Sequence, residues 1–162
     1  MELRSGEVRC PLKSWDIYSS YFFEITQQGK INQDLEILKT YQRQFGWSID
    51  LQHLLTNPYD AIVLTDNSVN IKWVSSGFTQ MTGYNKCEVL DQSPKMFQGR
   101  RTSLESRSRF RKKLNGHQAF VEEVINYRKN GEEYYCRVEI HPLFADASGL
   151  THYIALENEV KC

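Results

Sequence analysis

From Ser14 to Gln28 the apolar residues Trp15, Tyr18, Phe22 and Ile25 recur at intervals of three and four, the period of one helix face. After Gln27-Gln28-Gly29-Lys30, the set Ile31, Leu35, Leu38, Tyr41 and Phe45 repeats that period, and Gly46 stands where a helix-ending glycine is favoured. The pattern predicts two N-terminal helices parted near Gly29. The segment SIDLQHLLTNP, 48–58, predicts one or two short turns capped by Ser48 or Asp50 and stopped before Pro58, whose ring disfavours a helical preceding residue.

Two short segments rich in β-branched residues follow, DAIVLTD and NIKWVSS, with Asn67 and Ser68 between them as in a hairpin. From Gly77 to Leu114 the strand signals vanish. GFTQMTGY offers one amphipathic turn carrying Phe78 and Met81 and broken by Gly83, and Pro94 falls in the loop DQSPKMFQGRR. Thr102 with Glu105 matches an S/T-x-x-E capping box, predicting a helix that carries Leu104, Phe110 and Leu114 and ends at Gly116.

The remainder reads as strand. Asn130-Gly131 is a hairpin signal between two long strands, and in the second of these Tyr134, Cys136, Val138 and Ile140 alternate with Tyr135, Arg137, Glu139 and His141. In the last strand, LTHYIALENEV, both Tyr153 with Ala155 and Ile154 with Leu156 are apolar, so both faces should be covered. The N-terminal helices are the elements left to cover its outer side.

A length of 162 residues fits one core with an appendage. Lys plus Arg number 20 and Asp plus Glu number 20, so no net field recruits nucleic acid or a membrane surface. The opening MELRSGEVRC lacks the apolar core of a secretion signal, and no stretch approaches the roughly 20 apolar residues of a membrane span, so a soluble cytoplasmic protein is expected. Cys10, Cys87, Cys136 and Cys162 form no C-x-x-C pair and read as reduced thiols. The basic run RRTSLESRSRFRKK, with Phe110 its one aromatic residue, reads as a solvated helix face rather than a nucleic-acid stripe. His53, His117, His141 and His152 read as surface or strand-edge residues with no local nucleophile motif, so no enzymatic activity is expected.

The order helices, β-β, short helices, β-β-β, with GFTQMTGY, MFQG, NYRKNGEEYYCRVEIHPL and YIALENEV in their places, resembles the PAS sensory domain and, more narrowly, its flavin-binding LOV branch. The likeness runs from about Asp60 to Val160. It implies an α+β fold: a five-stranded antiparallel sheet of order 2-1-5-4-3, a helical segment between strands 2 and 3, and an N-terminal helical extension. The expected division is 1–57 for the extension and 58–162 for the PAS domain. A strict two-residue turn at Asn130-Gly131 would pair Ile125 with Cys136, and the resemblance favours instead a three-residue loop with a glycine bulge, expected to pair Asn126 with Cys136.

In LOV domains the counterpart of the 91–101 loop supplies a cysteine that bonds to the photoexcited flavin, with an asparagine just before it. This chain has Pro94 and Ser93 there, and proline offers no thiolate, so adduct photochemistry is not expected. Gln98 is retained, Asn126 stands where the family places a ring-facing asparagine, and Lys95 and Arg111 stand where it uses arginines on the cofactor phosphate. Cys136 replaces a second ring-facing asparagine and Glu157 replaces the ring-facing glutamine. An ionised carboxylate only accepts hydrogen bonds, so Glu157 would have to be protonated to serve the ring's acceptor atoms. These changes argue against FMN as a cofactor.

The candidate pocket is therefore Ser93, Lys95, Gln98, Arg111, Asn126, Cys136 and Glu157, with no catalytic residue and no metal ligand. Two functions compete: a sensor of an unidentified small ligand, and a protein-interaction module whose interior is filled by its own side chains. In either case the chain, which stops soon after its last strand, is expected to signal through an unknown protein partner and to form a homodimer through its N-terminal helices, with no nucleic acid or membrane partner.

Overall fold

The computed structural model describes residues 12–160, with side chains from residue 17 onward. Cys10, Cys162 and the Trp15 side chain lie outside the described residues. A single helix, α1 (Leu12–Phe45), takes the place of the two expected helices. One helical glycine costs only about 1 kcal/mol relative to alanine, and Gly29, without a left-handed backbone, lets the helix continue. Gly46, with φ of +71°, does end it, and its N–H donates to the Gln42 carbonyl at 2.8 Å. The short α2 (Leu51–Leu54) is capped by Asp50, whose carboxylate accepts from the His53 N–H at 3.0 Å.

The strands β1 (Ala61–Asp66), β2 (Ile71–Val74), β3 (Phe120–Tyr127), β4 (Glu133–Ala145) and β5 (Gly149–Glu159) form one antiparallel sheet of order β2-β1-β5-β4-β3. Between β2 and β3 lie α3 (Ser76–Thr82), α4 (Lys86–Val89), a 3-10 turn (Pro94–Phe97) and α5 (Leu104–Asn115). Gly77 permits the tight start of α3, since a Cβ there would fall 1.9 Å from the Asp60 carbonyl oxygen.

The central strands alternate between two apolar layers. Ala61, Val63, Tyr153, Ala155, Val138 and Ile140 face the inner layer with Phe78, Val89 and Phe97 of the helical segment. Ile62, Leu64, Ile154, Leu156 and Leu143 face the outer layer, closed by Leu35 and Leu38 of α1 and by Leu51, Leu54 and Leu55. The expected cover of β5 by the N-terminal helical region is thus observed. Tyr41, Phe45 and Trp47 stack at its end, and the Trp47 indole N–H donates to Thr151 Oγ1 at 2.9 Å.

Local signals were displaced in several places. The N-cap of α5 is Ser103, whose Oγ accepts from the Ser106 N–H at 3.0 Å. Thr102 is diverted: its hydroxyl donates to the Ile125 carbonyl at 2.6 Å and accepts from the Gly99 N–H at 2.9 Å. A capping box does form at Asn85 and Glu88, opening α4. Leu104, in the first turn of α5, is 81% exposed. Gly116 follows α5 with an ordinary right-handed backbone, and His117 takes the positive φ of 49°.

The β3–β4 connection is a three-residue loop, Lys129 to Gly131, closed by the Arg128 N–H on the Glu132 carbonyl at 2.8 Å, with Gly131 at φ of +87°. The register nevertheless differs from the expected one: Val124 pairs with Cys136, and Asn126 with Tyr134. Lengthening a hairpin loop moves each partner back along the first strand, so Cys136 slides from Ile125 to Val124 and not toward Asn126.

Candidate functional site: a cavity between the sheet and α5

Because α5 contributes no fully buried residue, it roofs the inner layer without filling it. A cavity of about 490 Å³ lies beneath it. The apolar part of its wall is Val63 of β1, Val124 of β3, Val138 and Ile140 of β4, Ala155 of β5, and Phe97, Phe110 and Leu114 from the helical side. Phe110 meets Phe120 edge-on at 5.3 Å, and the Tyr153 hydroxyl donates to the Leu114 carbonyl at 3.3 Å, holding the end of α5 to the sheet. On the solvent side of α5, Arg109 Nε and Lys113 Nζ donate to the buried Glu122 carboxylate at 2.5 and 2.6 Å.

The 91–101 loop forms one rim. It is fastened by the backbone, Ile71 N–H to Gln92 O at 2.9 Å and Asp91 N–H to Ile71 O at 2.8 Å, and by an isolated bridge between Gln98 and Asn126. Gly99 lies flat on Tyr127, where a Cβ would meet the ring at 2.3 Å. The loop is both a bend and a rim: its fixed backbone presents Lys95 at the mouth with the side chain exposed.

Six of the seven sequence candidates, Ser93, Lys95, Gln98, Arg111, Asn126 and Glu157, line this one cavity. Cys136 does not. It is fully buried in the inner core, where burial and the nearby Glu157 push its thiol far above the ordinary range, so it is a packed thiol and not a pocket group. Sequence reasoning missed Arg107, Thr65 and His117, which also line the cavity. A helix-spacing signal was present for Arg107, one turn before Arg111. His152, expected at a surface or edge, is buried on the opposite side of β5, 4.4 Å from the Phe45 ring, and burial lowers its pKa.

Glu157 is one of the buried polar groups of the lining, with Thr65 and Asn126. It is 7% exposed, no hydrogen bond to its carboxyl is found among the described residues, and burial pushes its pKa up to about 7. Neither Lys95 nor Arg111 pairs with it. Among the lining groups, Thr65 Oγ1 is also buried without a hydrogen-bond partner. An oxidised flavin ring needs a hydrogen-bond donor where Glu157 stands, which only its protonated carboxyl would supply, and adduct chemistry needs a thiol where Pro94 stands. Among the described residues that line the cavity there is no cysteine, and no cluster of metal-ligating side chains occurs among the described residues.

The sheet of order β2-β1-β5-β4-β3 thus carries short helices and a cavity on one face. The PAS domain family matches residues 60–160, and the chain belongs to that family. It is 29% identical over 100 residues to a nitrogen fixation regulatory protein of Klebsiella oxytoca, a match covering 62% of this chain and 20% of that protein. It is 31% identical over 88 residues to Protein TWIN LOV 1 of Arabidopsis thaliana, covering 54% of this chain and 22% of the relative. The matched region thus spans about a fifth of these curated relatives. The structure described as "Flavin Analogue Sheds Light on Light-Oxygen-Voltage Domain Mechanism" superposes with a TM-score of 0.62 at 26% identity, covering 68% of this chain and 84% of the other. The light-state LOV domain of Aureochrome1, also at 0.62 but 22% identical over 69% of this chain and 90% of its own, shares the fold.

Proposed function

We propose that this PAS domain is a non-enzymatic, non-photoactive cytoplasmic module that senses a small molecule in the cavity beneath α5 and acts through a protein partner. The observation that carries the reading is the alternation along β5. Tyr153, Ala155 and Glu157 line the cavity, while Ile154 and Leu156 pack in the layer closed by α1. Any occupant that shifts β5 therefore pushes on α1 through directly bonded neighbours. The curated relatives named as regulatory proteins support a signalling role. Among the described residues no helix is long and apolar enough to cross a membrane.

The output surface in this reading is the N-terminal half of α1. Ile17, Tyr18, Tyr21, Phe22 and Ile25 are each at least half exposed, on the turns of α1 that precede its packed residues Leu35 and Leu38. Together these side chains expose on the order of 600 Å² of surface, near the roughly 800 Å² that each partner of a stable complex contributes. A second copy is the proposed occupant, in a homodimer with two-fold symmetry.

A second reading, a LOV-like flavin protein without adduct chemistry, draws support from Gln98, Asn126, Lys95 and Arg111 all lining the same cavity. An absorption spectrum and native mass of the purified protein separate the two. A colourless protein with a non-covalent added mass favours the first, a yellow one with the mass of a flavin the second, and a bare chain mass favours a pure interaction module.

A further inference from the structure

The charged groups of the cavity differ in burial. Glu157 is the one acidic side chain among its lining residues and is buried, whereas the cations Lys95, Arg107 and Arg111 stand on the 91–101 loop and α5 and are partly or fully exposed. Lys95 and Arg111 are exposed and without an ion pair among the described residues. Arg107 donates through Nη2 to the Gly99 carbonyl at 3.1 Å, and its Nε is buried without a partner. A carboxyl group that is nine-tenths buried, unpartnered and facing an apolar cavity is left uncompensated by the fold, and a hydrogen-bond donor arriving with a ligand would satisfy it.

We infer that the cavity takes a bipolar small molecule: a nitrogen donor head, neutral N–H or cationic, on Glu157, an apolar or aromatic body between the valine and phenylalanine walls, and a carboxylate or phosphate at the mouth on Lys95 and Arg111. This deepens the sensor reading and rests on it. A head that only accepts hydrogen bonds is served by the protonated carboxyl alone, whereas a donor head is served by the protonated and the ionised form alike. An uncharged tail leaves the two rim cations in water and gains nothing from them. The class so defined differs from a purely apolar occupant, which would leave both the floor and the rim unsatisfied.

The test uses the full chain and four probes: 4′-amidinobiphenyl-4-carboxylate, the amidine-only and carboxylate-only biphenyls, and biphenyl itself, followed by ligand-observed NMR and thermal shift. The bipolar probe should bind at least roughly tenfold more tightly than either single-ended one. Glu157→Gln, which preserves shape, should erase its advantage over the carboxylate-only probe, and Lys95→Gln with Arg111→Gln should erase its advantage over the amidine-only probe. If the Glu157→Gln protein binds the bipolar probe as tightly as the unaltered chain, or if plain biphenyl binds best, the donor-head inference is overturned while the cavity reading stands. If none of the four binds the unaltered chain, the cavity reading falls and takes this inference with it.

Discussion

Leu156 and Glu157 are consecutive on β5 and face opposite layers: Leu156 packs fully buried in the layer closed by α1, and the Glu157 carboxyl faces the cavity. β5 thereby joins the cavity wall to the layer closed by α1, as β1 does through Val63 and Ile62. It is also a central strand, paired with β1 through Ala61 and Ile62 and with β4 through Val138 and Glu139, so it moves only with its neighbours.

Glu157 should give the protein a distinctive pH dependence. Its pKa rises from the ordinary carboxylate value to about 7 on folding. The native state therefore holds a proton that the unfolded chain releases, so stability is greatest below the unfolded pKa and declines as pH rises through about 7. The loss approaches about 3 kcal/mol at pH 8. Glu157→Gln should be more stable than the unaltered chain at pH 8 by up to that amount and should flatten the slope between pH 4.5 and 7. Urea melts at a series of pH values check it, and identical slopes for both proteins would contradict the burial of an unpaired carboxyl.

Glu122 should behave in the opposite sense. Its burial alone would raise the pKa, but hydrogen bonds from Lys113 and Arg109 outweigh this and hold it below the ordinary value. Its stabilisation is present above the ordinary carboxylate pKa and is lost as pH falls through the lower native one. Glu122→Ala should cost about 1–2 kcal/mol at neutral pH, discounted for the half-exposed cations, and should loosen α5. Amide exchange over residues 104–115 reports the loosening, and unchanged protection there would refute the anchoring role.

Much of this was legible in the sequence, and the exceptions have physical causes. Period-two alternation in 134–141 and doubled apolar faces in 153–156 identify the two layers, because side-chain direction in a strand is fixed by the pleat. Gly29 misled because a glycine without a left-handed backbone costs too little to stop a helix otherwise sustained by good helix formers. Thr102 misled because a long-range bond to Ile125 outcompeted the local cap. In the site, individual pocket residues were readable by resemblance, but the exclusion of Cys136 depends on how the core packs around it, which no spacing rule reports.

Leu38 should be the residue through which α1 is fixed to the sheet, as it is 0% exposed in the outer layer. Leu38→Ala should cost about 3 kcal/mol, combining lost transfer energy with the cavity left behind. A cost below about 1 kcal/mol in thermal or urea unfolding would show that the outer layer relaxes freely around α1.

The exposed apolar residues of α1 should govern assembly. Replacing Ile17, Tyr21 and Ile25 together by serine should weaken self-association by roughly a hundredfold or more while leaving the unfolding midpoint of the core nearly unchanged. Light scattering across a concentration series decides the point. A monomeric unaltered chain, or a triple variant that associates as well as the unaltered one, would rule out this surface as the interface.

The coupling through β5 is tested most directly by filling the cavity from the strand itself and reading α1. Ala155 lines the cavity between Ile154 and Leu156, so Ala155→Leu adds volume on the inner side without adding an atom to the outer layer. Hydrogen exchange on the full chain should show protection in α1, over residues 31–45, changed by at least roughly threefold, together with changes in β5. Changes confined to β5, α5 and the other walls of the cavity, with α1 exchanging as in the unaltered protein, would contradict transmission from pocket to helix.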